Sequence, residues 1–143
     1  MNPETLKLLI IDNNQAENVI LQEAFIELSL PVTIEWIDSG QKAIAAFITR
    51  SGVDVPDVIL VDFRLAGING LEVIQALSCN YKLNNAALIL TSGVMDDHLR
   101  KLCKMTGAFD ALEKPKNFKG HLILAALLHG MLSRVKTERT VKP

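Results

Sequence analysis

Short apolar runs recur along the chain, separated by stretches whose apolar residues follow a helical spacing. Leu6 to Ile11, Val58 to Val61 and Ala86 to Leu90 are nearly unbroken apolar segments. Segments of that length and composition predict strands buried on both faces. Val32 to Ile37 differs, because Val32, Ile34 and Trp36 alternate with Thr33 and Glu35. That period of two suits an edge strand with one wetter face. Ala108 to Leu112 reads as a short fifth strand, stopped by Lys114-Pro115.

Between these runs the pattern turns helical. Asp12-Asn13-Asn14 offers capping chemistry ahead of Ala16, Val19, Ile20, Ala24 and Leu28, predicting a helix to about Ser29. Ser39-Gly40 opens a second helix through Ala43, Ile44, Ala46, Phe47 and Ile48. Asp54 to Pro56 reads as a turn. Further helices are expected from Asn69 to about Cys79, from Met95 to Met105 with Gly107 as its stop, and from Asn117 to about Val135. Five strands alternating with five helices predict an α/β fold with a parallel sheet covered on both faces. Right-handed crossovers and the wetter second strand favour the order 2-1-3-4-5. One domain is expected over residues 1–135, followed by a short polar tail without regular structure over 136–143.

Composition narrows the function classes. At 143 residues, 49% hydrophobic and 22% charged, the chain reads as a soluble globular domain. A net charge of −1 argues against nucleic acid or an acidic membrane as partner. The most lipid-like segment, Leu122 to Leu128, is too short for a membrane span, so a cytoplasmic location is expected. Cys79 and Cys103 fit no metal-ligand spacing and read as buried or half-buried thiols. His98, His121 and His129 lie on predicted helices; the last two could share a face, but further zinc ligands are missing.

Chemistry enters at the strand ends. Asp12 with Asn13, Asp62, Thr91 with Ser92, and Lys114 each terminate a strand. In a parallel sheet all of these ends lie on one edge. Singly, each has an ordinary explanation as a cap, turn, strand or surface residue; together they collect two carboxylates, an amide, hydroxyls and an ammonium. That set suits phosphoryl transfer onto a carboxylate, with Asp62 as nucleophile forming an acyl phosphate. Neighbouring carboxylate oxygens and a backbone carbonyl would hold Mg²⁺. Lys114 and the Thr91 hydroxyl would contact phosphate oxygens.

On Leu-Leu-Ile-Ile-Asp12, Val61-Asp62 through Gly70-Leu71-Glu72, Leu90-Thr91-Ser92, and Gly107-Ala108 leading to Lys114-Pro115, the chain resembles the receiver domain of a two-component response regulator. The resemblance covers roughly residues 5–132. It implies a flavodoxin-like (CheY-like) three-layer α/β/α sandwich with a five-stranded parallel sheet. It also implies Asp62 as phosphoacceptor and Mg²⁺ held by Asp12, Asn13, Asp62 and the Arg64 backbone carbonyl. The donor would be a histidine kinase or a histidine phosphotransfer protein, and the output a contact with an unidentified downstream protein. No enzymatic activity is implied beyond self-dephosphorylation. A cis peptide bond at Lys114-Pro115 is also a family tendency.

Three positions depart from the family. Asn13 stands where a second acid usually touches the metal. The lost anion is worth at most ~4 kcal/mol per unit of cation charge at ~4 Å and an effective dielectric of about 20, which predicts weaker Mg²⁺ binding. Ala111 stands where a Phe or Tyr ring usually reports the switch; Phe109, two residues earlier, is expected on the same strand face. Ala66 replaces a common proline and loosens its loop slightly. Arg64 either lies over the site, shielding an acyl phosphate from water, or is a solvated loop residue.

The last helix carries Phe118, Leu122, Ile123, Ala125, Ala126, Leu127, Leu128, Met131, Leu132 and Val135, more than one apolar stripe. The excess points to a second contact, with a homodimer as one form of it. The residues outside the domain leave no room for an output domain within this chain. The leading reading is a single-domain receiver accepting a phosphoryl group at Asp62. The alternative is an atypical receiver that binds partners independently of phosphorylation. A phosphatase of the haloacid dehalogenase type would want a second Asp two residues past the nucleophile, where Asn14 and Arg64 stand. A flavodoxin would want a Ser/Thr/Gly-rich phosphate cradle in the first loop.

Overall fold

The computed structural model describes residues 4–50 and 55–141, with side chains up to Leu132 in the last helix. Five strands alternate with five helices: β1 (Leu6–Ile11), α1 (Gln15–Glu27), β2 (Val32–Ile37), α2 (Gly40–Thr49), β3 (Val58–Asp62), α3 (Gly70–Ser78), β4 (Ala87–Ser92), α4 (Asp97–Met105), β5 (Asp110–Glu113) and α5 (Phe118–Val141). All pairings are parallel and the order is β2-β1-β3-β4-β5. The expected flavodoxin-like sandwich is therefore present. The expected turn at Asp54 to Pro56 begins outside the described residues.

Period-two alternation divides the sheet between two cores. Leu8, Ile10, Val58 and Leu60 pack on one face with Leu21 and Phe25 of α1 and Leu124 and Leu128 of α5. Leu9, Ile11, Ile59 and Val61 pack on the other with Phe47 of α2, Val73 and Leu77 of α3 and Cys103 of α4. Every residue of β3 is buried. Each large side chain so buried contributes about 1.5–3 kcal/mol of transfer free energy. On the outermost strand, the exposed Thr33 and Glu35 alternate with half-buried neighbours, as an edge demands.

Local chemistry sets the element ends. Asn14, Ser39, Asn69 and Asp96 cap α1 to α4 through side-chain oxygens that accept backbone N–H bonds, and Asn69 forms a full capping box with Glu72. Gly70 starts α3 hard against β3; a Cβ there would collide with the Asp62 carbonyl oxygen and lie 2.8 Å from Leu90 Cδ1. Gly107, at φ +102°, turns the chain out of α4 as expected.

Four expectations need correction. The last helix does not stop at Val135 but continues to Val141, because no Gly or Pro stands between Gly130 and Pro143. No cis peptide bond occurs among the described residues, so Lys114-Pro115 is trans, an isomer that costs nothing at an X-Pro bond. Phe109 does not share a face with Ala111. It precedes β5, outside the period-two register, and packs against the α1/α5 core while Ala111 packs in the opposite one. Finally, Cys103 is buried but Cys79 is exposed, because it caps the solvent end of α3.

Candidate functional site

The C-terminal ends of β1, β3, β4 and β5 converge as the strand order requires. A cavity of about 10 Å³ lies there, lined by Ile10, Asp12, Glu17, Leu21, Leu60, Asp62, Thr91, Lys114, Pro115 and Leu124. It holds one water at most. Asp12, Asp62 and Thr91 are all buried. Lys114 Nζ sits between the two carboxylates, 2.8 Å from Asp12 Oδ2 and 3.3 Å from Asp62 Oδ2. Asp12 Oδ1 also accepts the Asn14 N–H at 2.9 Å, and Asp62 Oδ1 accepts the Arg64 N–H at 3.4 Å.

These contacts shape the electrostatics. Burial pushes the Asp62 carboxyl above its ordinary range, and the Asp12 charge adds to that. Lys114 and the Arg64 N–H oppose the rise without cancelling it. For Lys114, burial is the largest influence and pulls downward, but Asp12 and then Asp62 outweigh it, so the ammonium is held more firmly than usual. The Thr91 hydroxyl reaches only the Val61 carbonyl, at 3.5 Å. A bond that long restrains it weakly.

The donor set is all oxygen, which fits a hard divalent cation. Two buried carboxylates repelling one another across one ammonium are also a pair that added positive charge would relieve. Among the described residues no group of three or more His, Cys, Asp or Glu side chains forms a metal cluster, so waters and main-chain oxygens would have to complete any shell.

Of the residues expected at the site, Asp12, Asp62, Thr91 and Lys114 line the cavity. Asn13 is exposed and outside its lining. The Arg64 side chain is exposed too and lines a neighbouring cleft with Phe63, Leu71, Ser92, Val94, Asp96, His98, Leu99 and Leu102. His121 and His129 share no site: one faces Glu17 Oε2 at 3.2 Å and the other the Glu4 carbonyl at 2.8 Å.

Three residues at or near the site escaped the sequence reading. Glu17 lines the cavity from α1. Arg100 of α4 donates to the Ala111 carbonyl at 2.6 Å. Trp36 of β2 donates its indole N–H to the Asp12 carbonyl at 2.6 Å. Only Trp36 carried a signal, as a half-buried aromatic with one donor in need of a partner.

Comparison with known proteins gives the family and the fold. Residues 8–126 match the family model for the response regulator receiver domain. A probable methanogenesis regulatory protein, FilR2 of Methanothrix harundinacea, is 28% identical over 97 residues, covering 66% of this chain and 63% of that protein. Among solved structures, the signal receiver domain of a putative LuxO repressor protein from Vibrio parahaemolyticus is 25% identical with a TM-score of 0.75, covering 98% of this chain and 99% of that one. The phosphorylated cyanobacterial phytochrome response regulator RcpA is 17% identical with a TM-score of 0.78, covering 91% and 95%. The Mn²⁺-bound response regulator Rcp1 is 18% identical with a TM-score of 0.70, covering 90% and 92%.

Proposed function

The chain belongs to the response regulator receiver domain family, and we propose that it accepts a phosphoryl group on Asp62 from a histidine kinase or a histidine phosphotransfer protein. The carrying observation is the single cavity that brings Asp62, Asp12, Thr91 and Lys114 together. An Asp62 carboxylate oxygen attacks phosphorus, the donor's phosphorus–nitrogen bond breaks, and the imidazole keeps the electron pair. Lys114, already against Asp62, pairs with a phosphate oxygen. The loosely held Thr91 hydroxyl turns to another.

Asp12, Asp62, the Arg64 carbonyl and the Asn13 amide oxygen would hold Mg²⁺. When bound, it supplies charge that offsets repulsion between nucleophile and phosphoryl group. With Asn13 neutral and exposed, that hold is weaker than an acid pair would give. Such a domain signals through protein contacts and belongs in the cytoplasm with its kinase; no described helix is long and apolar enough to cross a membrane.

For the output we propose α5. Its buried side carries Leu124, Ala125, Leu128, Met131 and Leu132, while Phe118, Ile123 and Leu127 remain 42%, 63% and 44% exposed on its outer side. That strip suits a second copy of the chain. Light scattering at micromolar concentration is expected to show a dimer that Ile123→Glu returns to monomer.

The test of the acceptor is treatment with acetyl phosphate and Mg²⁺, read by intact mass. The wild type is expected to gain one phosphoryl group and Asp62→Asn none. No gain by the wild type at any Mg²⁺ concentration would favour the second reading, a phosphorylation-independent interaction module. Ala111 and Asn13 are the observations that favour it.

A further inference from the structure

The outermost strand looks least connected to the chemistry, yet it holds Asp12 from two sides. The Asp12 N–H donates to the Ile37 carbonyl at 3.1 Å, and the Asp12 carbonyl accepts the Trp36 indole N–H at 2.6 Å. Trp36 stands opposite Ile10 in the parallel ladder, so its ring reaches forward along β1 to the loop beyond the strand. The ring is half-buried against the α1/α5 core, which fixes its direction.

We propose that Trp36 is a positioning residue for the metal site, orienting Asp12 through its main-chain carbonyl. The proposal rests on the reading of Asp12 as a metal-holding carboxylate. Asp12 needs this support because Asn13 brings no charge, and the other carboxylate that lines the cavity from the β1–α1 side, Glu17, is turned to His121 Nε2 at 3.2 Å. Of the four hydrogen bonds that fix Asp12, the one from Lys114 to Oδ2 is an ammonium contact with which a cation at that carboxylate would compete. The Asn14 bond occupies Oδ1. The two bonds from β2 touch only main-chain atoms of Asp12 and would not compete with a cation for its carboxylate. The Ile37 contact is ordinary sheet pairing. The Trp36 contact depends on a side chain that donates and cannot accept, so Phe keeps an aromatic ring against the core but leaves the carbonyl unpartnered.

The test uses the full chain and two readouts. Without metal, the Trp36 indole N–H is expected to exchange slowly with solvent. Exchange as fast as in a free indole removes the bond and the proposal with it. In Mg²⁺ titrations followed by the backbone amide signals of Asp12, Asn13 and Asn14, Trp36→Phe is expected to raise the half-saturating concentration roughly tenfold. Ile34→Ala, which weakens the packing of the same strand without touching Asp12, is expected to leave it unchanged. An unshifted Trp36→Phe titration, or an equal shift in both variants, overturns the proposal. So does a wild type that takes up no Mg²⁺, which would also remove the metal reading. A wild type that binds Mg²⁺ but gains no phosphoryl group at Asp62 would sink only the acceptor reading, and the Trp36→Phe shift would still stand on its own.

Discussion

Two aspartates flank the same buried strand, and they are equally hidden. Asp57 precedes β3 and Asp62 ends it, and each is 6% exposed. Their surroundings differ completely. Asp57 Oδ2 accepts the Lys7 N–H at 2.9 Å, while its own N–H and carbonyl bond to Lys7 and Ala87. It joins three strands at the N-terminal edge of the sheet. Asp62 meets a second carboxylate, an ammonium and a loosely held hydroxyl. Burial therefore does not distinguish the acid proposed as phosphoacceptor from the other. What marks it is strand direction, which sends side chains from four strand ends to one edge and main-chain amides to the other.

Removing the cation at the Asp62 end should have the largest effect. In Lys114→Met the carboxylates of Asp12 and Asp62 face each other unpaired. Denaturant unfolding at neutral pH is expected to show a loss of about 3 kcal/mol, much of it recovered when Asp62→Asn is added. A loss that the second change leaves untouched would mean Lys114 acts through packing. At the other end, Asp57→Ala leaves the Lys7 N–H without its acceptor and should cost about 2 kcal/mol, with Asp62 still open to acetyl phosphate. Loss of phosphorylation in that variant would erase the distinction between the two acids.

The smallest effect has the opposite sign. Because the folded-state pKa of Asp62 is raised, its contribution is complete below the ordinary carboxylate value and is lost as pH rises through the raised one. In chelator at neutral pH, Asp62→Asn is thus expected to melt slightly above wild type, and the gain should vanish on acidification. A mutant that melts lower at neutral pH would mean that the Lys114 pairing outweighs burial.

The sheet order and the Asp12, Asp62, Thr91 and Lys114 set were legible because both follow from strand ends, and strand ends follow from apolar periodicity. Contacts made by side chains that reach along or across strands were not. Trp36 read as one more apolar position in an alternating strand, and its indole N–H carries no periodicity. Nothing in the spacing of α4 singles out Arg100, which bonds the main chain of β5. The placement of Phe109 failed for a related reason: the alternation was extended one residue beyond where β5 begins. Asn13 was legible as a missing charge, and water exposure is expected to reduce its weight; the structure shows it exposed. In that higher dielectric the missing charge weighs less than the upper bound of ~4 kcal/mol per unit of cation charge.

Lys114 matters beyond the phosphate contact proposed for it. Its ammonium is attached to the same chain as the two carboxylates it bridges, so its effective concentration at the pocket does not fall on dilution or dialysis. A divalent ion held by Asp12 and Asp62, as proposed, would compete with a tethered rival. Its apparent affinity then reports the difference between two cations and not the strength of one. Loosening the lysine would raise metal occupancy with no new ligand added.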